Sequence, residues 1–363
     1  MRASGLALAG LILLAALWGC ASDEGPREVL LDTPALHVSN GFQLVEAGKL
    51  GDAQREFEAA LVTNKEYPAA YVGLSLVASR QGRVDEARGL LVKAEGLSHE
   101  DWDLAQVQIG RMELLMADTP PDWLTQVEIA YTRATSLAPR ATKAAYVLAQ
   151  AYLQALEFER ARNRFAQVAE QGDSYAYLAR EGVSLCQRVL DAEPRTELAK
   201  RTALIRSINR AQMAELLVAE IDYPWPPAPL NLLANDLHPQ LPQIEAINRV
   251  LAAKFQGLPL HAGGAFLPTK PVRRQELAQA ALGVVTLVSG RPNPRPSPFP
   301  PDISDLPPEE QWQDIISLAL DLGLMEPTAP GRFDPWSPVS GSIALSAIKK
   351  AERLGHRFKE GKP

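Results

Sequence analysis

Apolar positions in the first half of the chain recur at helical spacing, and the pattern then repeats as a block. Gly48, Ala53, Phe57 and Ala60 in GKLGDAQREFEAAL return, all at one constant offset, as Gly82, Ala87, Leu91 and Ala94 in GRVDEARGLLVKAE. Tyr131, Ala134 and Pro139 resume the pattern, and Leu148, Tyr152, Ala161 and Phe165 continue it in phase, one period further on. Between the second and third blocks the phase slips around Ala117–Pro121, which predicts an insertion between helices. The pattern predicts pairs of antiparallel helices stacked on one another. Small residues (Gly41, Ala53, Ala87, Ala161) let backbones approach, and large ones (Leu44, Phe57, Leu74, Tyr152, Phe165) fill the gaps. Gly48 and Gly82 fall where the chain must turn between helices.

A second, longer pattern occupies the C-terminal part. Phe266, Pro268, Pro271 and Val272 recur, in the same order and at the same spacing, as Phe333, Pro335, Pro338 and Val339. Each block precedes an apolar helical run, LAQAALGVVTLV or IALSAIKKAERL, and follows an amphipathic one. The amphipathic runs carry Ile244, Ile247 and Leu251, and Trp312, Ile315, Ala319 and Leu322. An earlier copy ends at Ile208–Ala214, since Ala214 precedes Ala278 by nearly the interval that separates Ala278 from Leu345. The unit reads as an acidic turn (Asp236; Asp302 and Asp305), a helix, a loop rich in glycine and proline, and a second helix.

The shorter pattern resembles the tetratricopeptide repeat over 35–172. That resemblance implies an all-α solenoid whose concave face binds a peptide or helix of a partner protein; a rigid spacer is the alternative. The acid excess favours basic partner segments if those charges face the groove. The longer pattern resembles the S-layer homology motif, most clearly in DISDLPPEEQWQDIISLALDLGLMEPTAPGRFDPWSPVSGSIALSAIKKA. That resemblance implies a helical module with proline-rich loops, packed in three units, that binds wall-linked polysaccharide. The family's Thr-Arg pair and following acid are matched by Arg210, Arg274 and Glu276. Asn209 and Arg273 replace the threonine, Gln212 the acid, and Gly341 the third arginine. A guanidinium offers a planar fork to a glycan carboxylate, or to a structural salt bridge. Trp312 is a candidate to stack on a sugar, with a place in the core as the alternative.

Residues 1–20, MRASGLALAGLILLAALWGC, have a positive start and an apolar run too short for a comfortable membrane span. Leu17, Gly19 and Cys20 resemble the lipobox of bacterial lipoproteins. The resemblance implies lipidation at Cys20, a membrane anchor and an outer-membrane location facing the periplasm. The expected organisation is a signal peptide over 1–19, a tether over 20–34 and the solenoid over 35–172. Linking helices with a candidate first unit follow over 173–221, and units two and three over 222–363.

Composition adds a contrast between halves. Seven prolines precede residue 222 and 22 follow it, and the net charge is −6. A mildly acidic balance argues against a nucleic-acid partner. Residues 291–308 read as an extended connector and 223–230 as a stiff joint. Cys186, on an apolar helical face, reads as a buried, inert thiol. The five histidines have no metal-ligand spacing, and no nucleophile elbow, phosphate loop or dinucleotide fingerprint occurs. No enzyme, cofactor or metal is therefore expected. The expected function is a lipid-anchored envelope protein that holds the membrane to wall glycan or peptidoglycan and docks a partner protein. The alternative is an assembly factor for envelope or secretion machinery.

Overall fold

The computed structural model describes residues 33–296 and 302–361. The proposed signal peptide, Cys20 and all of the tether but its last two residues lie outside the described residues. Among the described residues the regular structure is helical, joined only by isolated β-bridges, and none of these helices is long and apolar enough to cross a membrane.

Four helix pairs build the solenoid: α1 (Pro34–Glu46) with α2 (Leu50–Thr63), α3 (Pro68–Arg80) with α4 (Val84–Leu97), α5 (Asp101–Asp118) with α6 (Trp123–Leu137), and α7 (Thr142–Gln154) with α8 (Phe158–Glu170). Thr33 caps α1, its hydroxyl accepting from the Leu36 amide, and Pro34 supplies the fixed φ of a first turn. Gly48 and Gly82 turn the chain at φ of 73° and 75°, values that disfavour a side chain. The small-against-large expectation holds in atomic detail. Phe57 is fully buried, and a Cβ added at Gly41 or Gly73 would come within 2.5 or 2.2 Å of its ring. The phase slip becomes the long α5 and a loop in which Thr119 and Asp122 take left-handed backbone.

Seven further helices follow: α9 (Ala176–Ala192), α10 (Glu197–Ala203), α11 (Arg210–Glu220), α12 (Ile244–Ala252), α13 (Arg274–Ser289), α14 (Glu310–Asp321) and α15 (Gly341–Lys359). Just before α11, α13 and α15 lie three buried residues, Ile208, Val272 and Val339, each 0% exposed. Their backbones close a ring. Ile208 N–H donates to Val339 (3.0 Å), Val339 N–H to Val272 (3.0 Å) and Val272 N–H to Ile208 (2.9 Å). The segment at Ile208 thus meets the segments before α13 and α15 at one centre. The joint at 223–230 is held down: Tyr223 packs on Trp225 (5.1 Å between ring centroids) and Trp225 on Phe255 (6.3 Å).

The contrast in composition does not divide the core. One buried cluster runs from Ile109 in α5 to Leu354 in α15, because α9 packs on α8 with one face and on α15 with another. A buried ionic network reinforces this junction. Fully buried Glu220 accepts from the amides of Arg195 (3.0 Å) and Thr196 (2.9 Å) and from the Thr196 hydroxyl (2.8 Å). Lys349 Nζ lies 2.6 Å from Glu352 and 3.7 Å from Glu220, while Arg195 reaches Glu352 at 2.9 Å.

Burial pushes the Glu352 carboxyl up, but Lys349, the Asp222 amide and Arg195 outweigh it and hold the carboxyl below its usual range. A depressed carboxylate contributes stability above its unfolded pKa, and that stability is lost as pH falls through the folded pKa. Glu352→Gln is expected to flatten the acid limb of the stability profile below about pH 4.3. Lys349→Met, which strands the buried carboxylates, is expected to cost roughly 3–5 kcal/mol in urea unfolding at neutral pH.

Candidate functional site

The two arginines singled out from the sequence do the same thing at equivalent places. Arg210 opens α11 and is 2% exposed; Arg274 opens α13 and is 6% exposed. Arg210 Nε donates to the Phe266 carbonyl (2.7 Å) and Nη2 to that of Pro259 (2.6 Å). Arg274 Nε donates to the Phe333 carbonyl (2.6 Å) and Nη2 to that of Glu326 (2.7 Å). Each guanidinium stacks on the phenylalanine whose carbonyl it holds, at 4.8 and 4.6 Å. These arginines tie the loop of the next unit to the helix of their own. Neither forms a salt bridge among the described residues; each turns its donors to backbone carbonyls instead. An extended loop leaves carbonyls facing a helix start, and the arginine satisfies them.

The loops are fixed from their other side by aspartates. Asp236 accepts from the amides of Phe266 and Leu267, both at 2.7 Å, and Asp305 from those of Phe333 and Asp334, both at 2.8 Å. The double acceptance suits the left-handed turn at Leu267 (φ 56°) and Asp334 (φ 53°). Burial pushes the Asp236 carboxyl up, yet those amides, its own amide and Arg210 hold it below the usual range. Glu276 serves the start of α13, accepting from the Arg273 amide and from Lys270 Nζ, both at 2.9 Å. At α11 Asn209 and Gln212 form a reciprocal cap.

The third position shows why no arginine stands there. Gly341 N–H donates to the Ile205 carbonyl at 2.8 Å, and a Cβ on Gly341 would lie 1.7 Å from the Thr202 carbonyl oxygen. The end of α10 occupies the space that a phenylalanine loop fills in the other two units.

A cleft of about 490 Å³ opens beside this module, walled by α9, α15 and the segment Leu324–Thr328. Arg188, Lys350 and Arg353 line it, with Arg274 at its floor. Arg188 donates to Ser184 Oγ (2.6 Å), and Arg353 to the Asp191 carbonyl (3.4 Å). Neither guanidinium pairs with a carboxylate among the described residues, and Lys350 reaches only the exposed Glu326, at 3.1 Å. The cleft is thus polar and predominantly cationic. Sequence reasoning missed these residues. Ile343, Ser346, Ala347, Lys350 and Arg353 form one stripe of α15, and Ser184, Arg188 and Asp191 one stripe of α9. Each stripe is readable from spacing; their meeting is not. Trp312 is half-buried on α14 and does not line this cleft.

The inner face of the solenoid is marked by aromatic rings and paired charges. Lys143 on α7 lies over the Phe42 ring of α1 (4.8 Å) and 3.5 Å from Glu113 on α5, so the inner helices meet across the face. Tyr146 and Tyr175 stack there at 5.1 Å between centroids. Burial, then Glu46 and Glu113, push the Tyr175 phenol up to about 12. Glu113 Oε2 is buried without a hydrogen-bond partner. Cys186 is buried and free, and burial raises its thiol to about 11, leaving it protonated and unreactive at neutral pH.

Residues 43–98, spanning most of the first two helix pairs, match the tetratricopeptide repeat family. This segment carries tetratricopeptide repeats. That assignment and the stacked pairs establish an all-helical, tetratricopeptide-like solenoid, a scaffold suited to protein–protein interaction. No curated protein matches the chain.

Arg274→Met would leave the buried Phe333 carbonyl and the part-buried Glu326 carbonyl without these donors, at up to about 3 kcal/mol each. Thermal unfolding is expected to show a loss of about 2–5 kcal/mol, with Arg210→Met similar. Gly341→Arg, which restores the repeat's arginine, is expected to destabilise rather than to repair.

Proposed function

We propose that this is a non-catalytic, lipid-anchored protein of the bacterial cell envelope. Cys20 holds the membrane, the C-terminal module holds wall glycan or peptidoglycan, and the solenoid docks a partner protein. The observation that carries the wall-binding part is the cationic cleft beside the three-unit module. Arg188 and Arg353 stand there without carboxylate partners, among serine and threonine hydroxyls that suit a polyhydroxylated, anionic ligand. The S-layer homology resemblance supports the same reading, now with binding placed on Arg188, Lys350 and Arg353 as well as the loop-holding Arg274. Two modest attachments on one chain raise each other's effective concentration, so neither need be tight alone.

The tyrosine-bearing inner face of the solenoid, with Tyr146 stacked on Tyr175, is the surface on which a partner segment would dock. That face supports the alternative reading equally, an assembly factor for envelope or secretion machinery in which the C-terminal module is a protein scaffold.

Because the two halves share one core, removing 222–363 would expose buried surface, and point substitutions separate the readings better. In co-sedimentation with purified sacculi, the full chain is expected to bind saturably. Lys350→Glu with Arg353→Glu is expected to weaken binding at least tenfold without changing the unfolding midpoint. Absence of saturable sedimentation would favour the assembly role.

A further inference from the structure

A second cleft lies on the solenoid, on the side away from its inner face. It measures about 530 Å³, within the range of ligand clefts, roughly 300–1,000 Å³. It opens where the repeat phase slips, between α4 and α6, with α5 as its floor. Arg111, Leu114, Leu115 and Asp118 of α5 face it; Glu113, half a turn round the same helix, reaches Lys143 on the inner side. The buried core is interrupted here. Leu91 and Leu114 belong to one cluster, and Val127 and Ala130 across the cleft belong to another.

The cleft pairs exposed apolar surface with positive charge. Val92 is 62% exposed and Ile129 49% exposed, although both are β-branched residues on ordered helices. Arg88, Arg111 and Arg133 surround them, and Asp118 is the one carboxylate among the lining residues. Arg133 makes no ion pair among the described residues. Arg88 reaches Asp85 and Asp118, both at 3.3 Å, and Arg111 reaches Glu95 at 3.0 Å, solvent-accessible pairs of small worth that an incoming carboxylate can replace. Three guanidiniums thus gather here, Arg133 with no ion pair among the described residues, on a solenoid whose acidic residues outnumber its basic ones.

We propose that this cleft docks an acidic amphipathic helix of a partner protein. Apolar residues at i, i+3 or i+4, and i+7 would enter between Val92 and Ile129, and flanking glutamates or aspartates would meet Arg88, Arg111 and Arg133. The site is separate from the inner face and from the C-terminal cleft.

The test uses the full chain and a fluorescein-labelled 15-residue helical peptide with leucines at those spacings and glutamates elsewhere. A twin peptide carries lysines in place of the glutamates. Fluorescence anisotropy is expected to show saturable binding of the acidic peptide and at least tenfold weaker binding of its twin. Arg133→Glu and Ile129→Asp, both at exposed positions, are expected to weaken the acidic peptide at least tenfold with an unchanged circular dichroism spectrum. Arg133→Lys should retain most of the affinity, and Lys350→Glu in the distant cleft should leave it unchanged. Three results would overturn the proposal: no saturable binding, equal binding of the lysine twin, or binding indifferent to Arg133→Glu and Ile129→Asp. A gain of more than tenfold on removing residues 21–32 would also overturn it, since the chain's own acidic segment would then be the occupant.

Discussion

Three main-chain hydrogen bonds, passed in a circle from Ile208 to Val339, Val339 to Val272 and Val272 to Ile208, set the geometry of the C-terminal half. Each residue uses its amide toward one neighbour and its carbonyl toward the other. The circle fixes the starting points of α11, α13 and α15, and with them the direction in which each helix leaves the centre. Further ladder bonds follow from that placement: Arg210 N–H to Lys270 and Ala211 N–H to Pro268 in one sector, Arg274 N–H to Ser337 and Gln275 N–H to Pro335 in the next. Two of the prolines that made this half compositionally distinct, Pro268 and Pro335, therefore lie where acceptors, and no donors, are required.

Around that circle the side chains act as tie-bars. An arginine from one unit and an aspartate from the following one grip the same phenylalanine loop from opposite sides, the first by its carbonyl and the second by its amide. Burying the guanidinium is tolerable because its donors meet carbonyls and its face meets a ring. In the remaining sector the end of α10 takes the place of the loop, and the residue facing it must be glycine.

Much of the fold was readable in the chain. A constant repeat period with small residues opposite Phe57 and Phe165 specifies helix pairs, because helix packing responds to local size and spacing; Gly182, whose added Cβ would lie 2.7 Å from the Phe165 ring, extends the same rule into α9. The longer repetition of Phe, Pro, Pro and Val located the loops and the circle's members. What was not readable depends on distant pairs. Arg210 and Arg274 stood in register, yet their partners are backbone atoms 49 to 59 residues away, which carry no side-chain signature. Likewise the stripes on α9 and α15 face one cleft only because α9 bridges the solenoid and the module. The contrast in proline content marked different loop chemistry rather than separate cores.

The circle also has a timing consequence. Its members are spread over more than a hundred residues of chain, and the last, Val339, lies near the C-terminal end. Contacts of such long sequence separation form late. As the chain emerges from its N-terminus, the first two helix pairs are able to complete their local packing while the module still lacks its closing member. The buried network around Glu220 likewise waits for Lys349 and Glu352, so α9 and the end of the solenoid are sealed only once α15 has arrived. The C-terminal helix is thus the clasp of the molecule, and loss of a short stretch there would open far more of the structure than its length indicates.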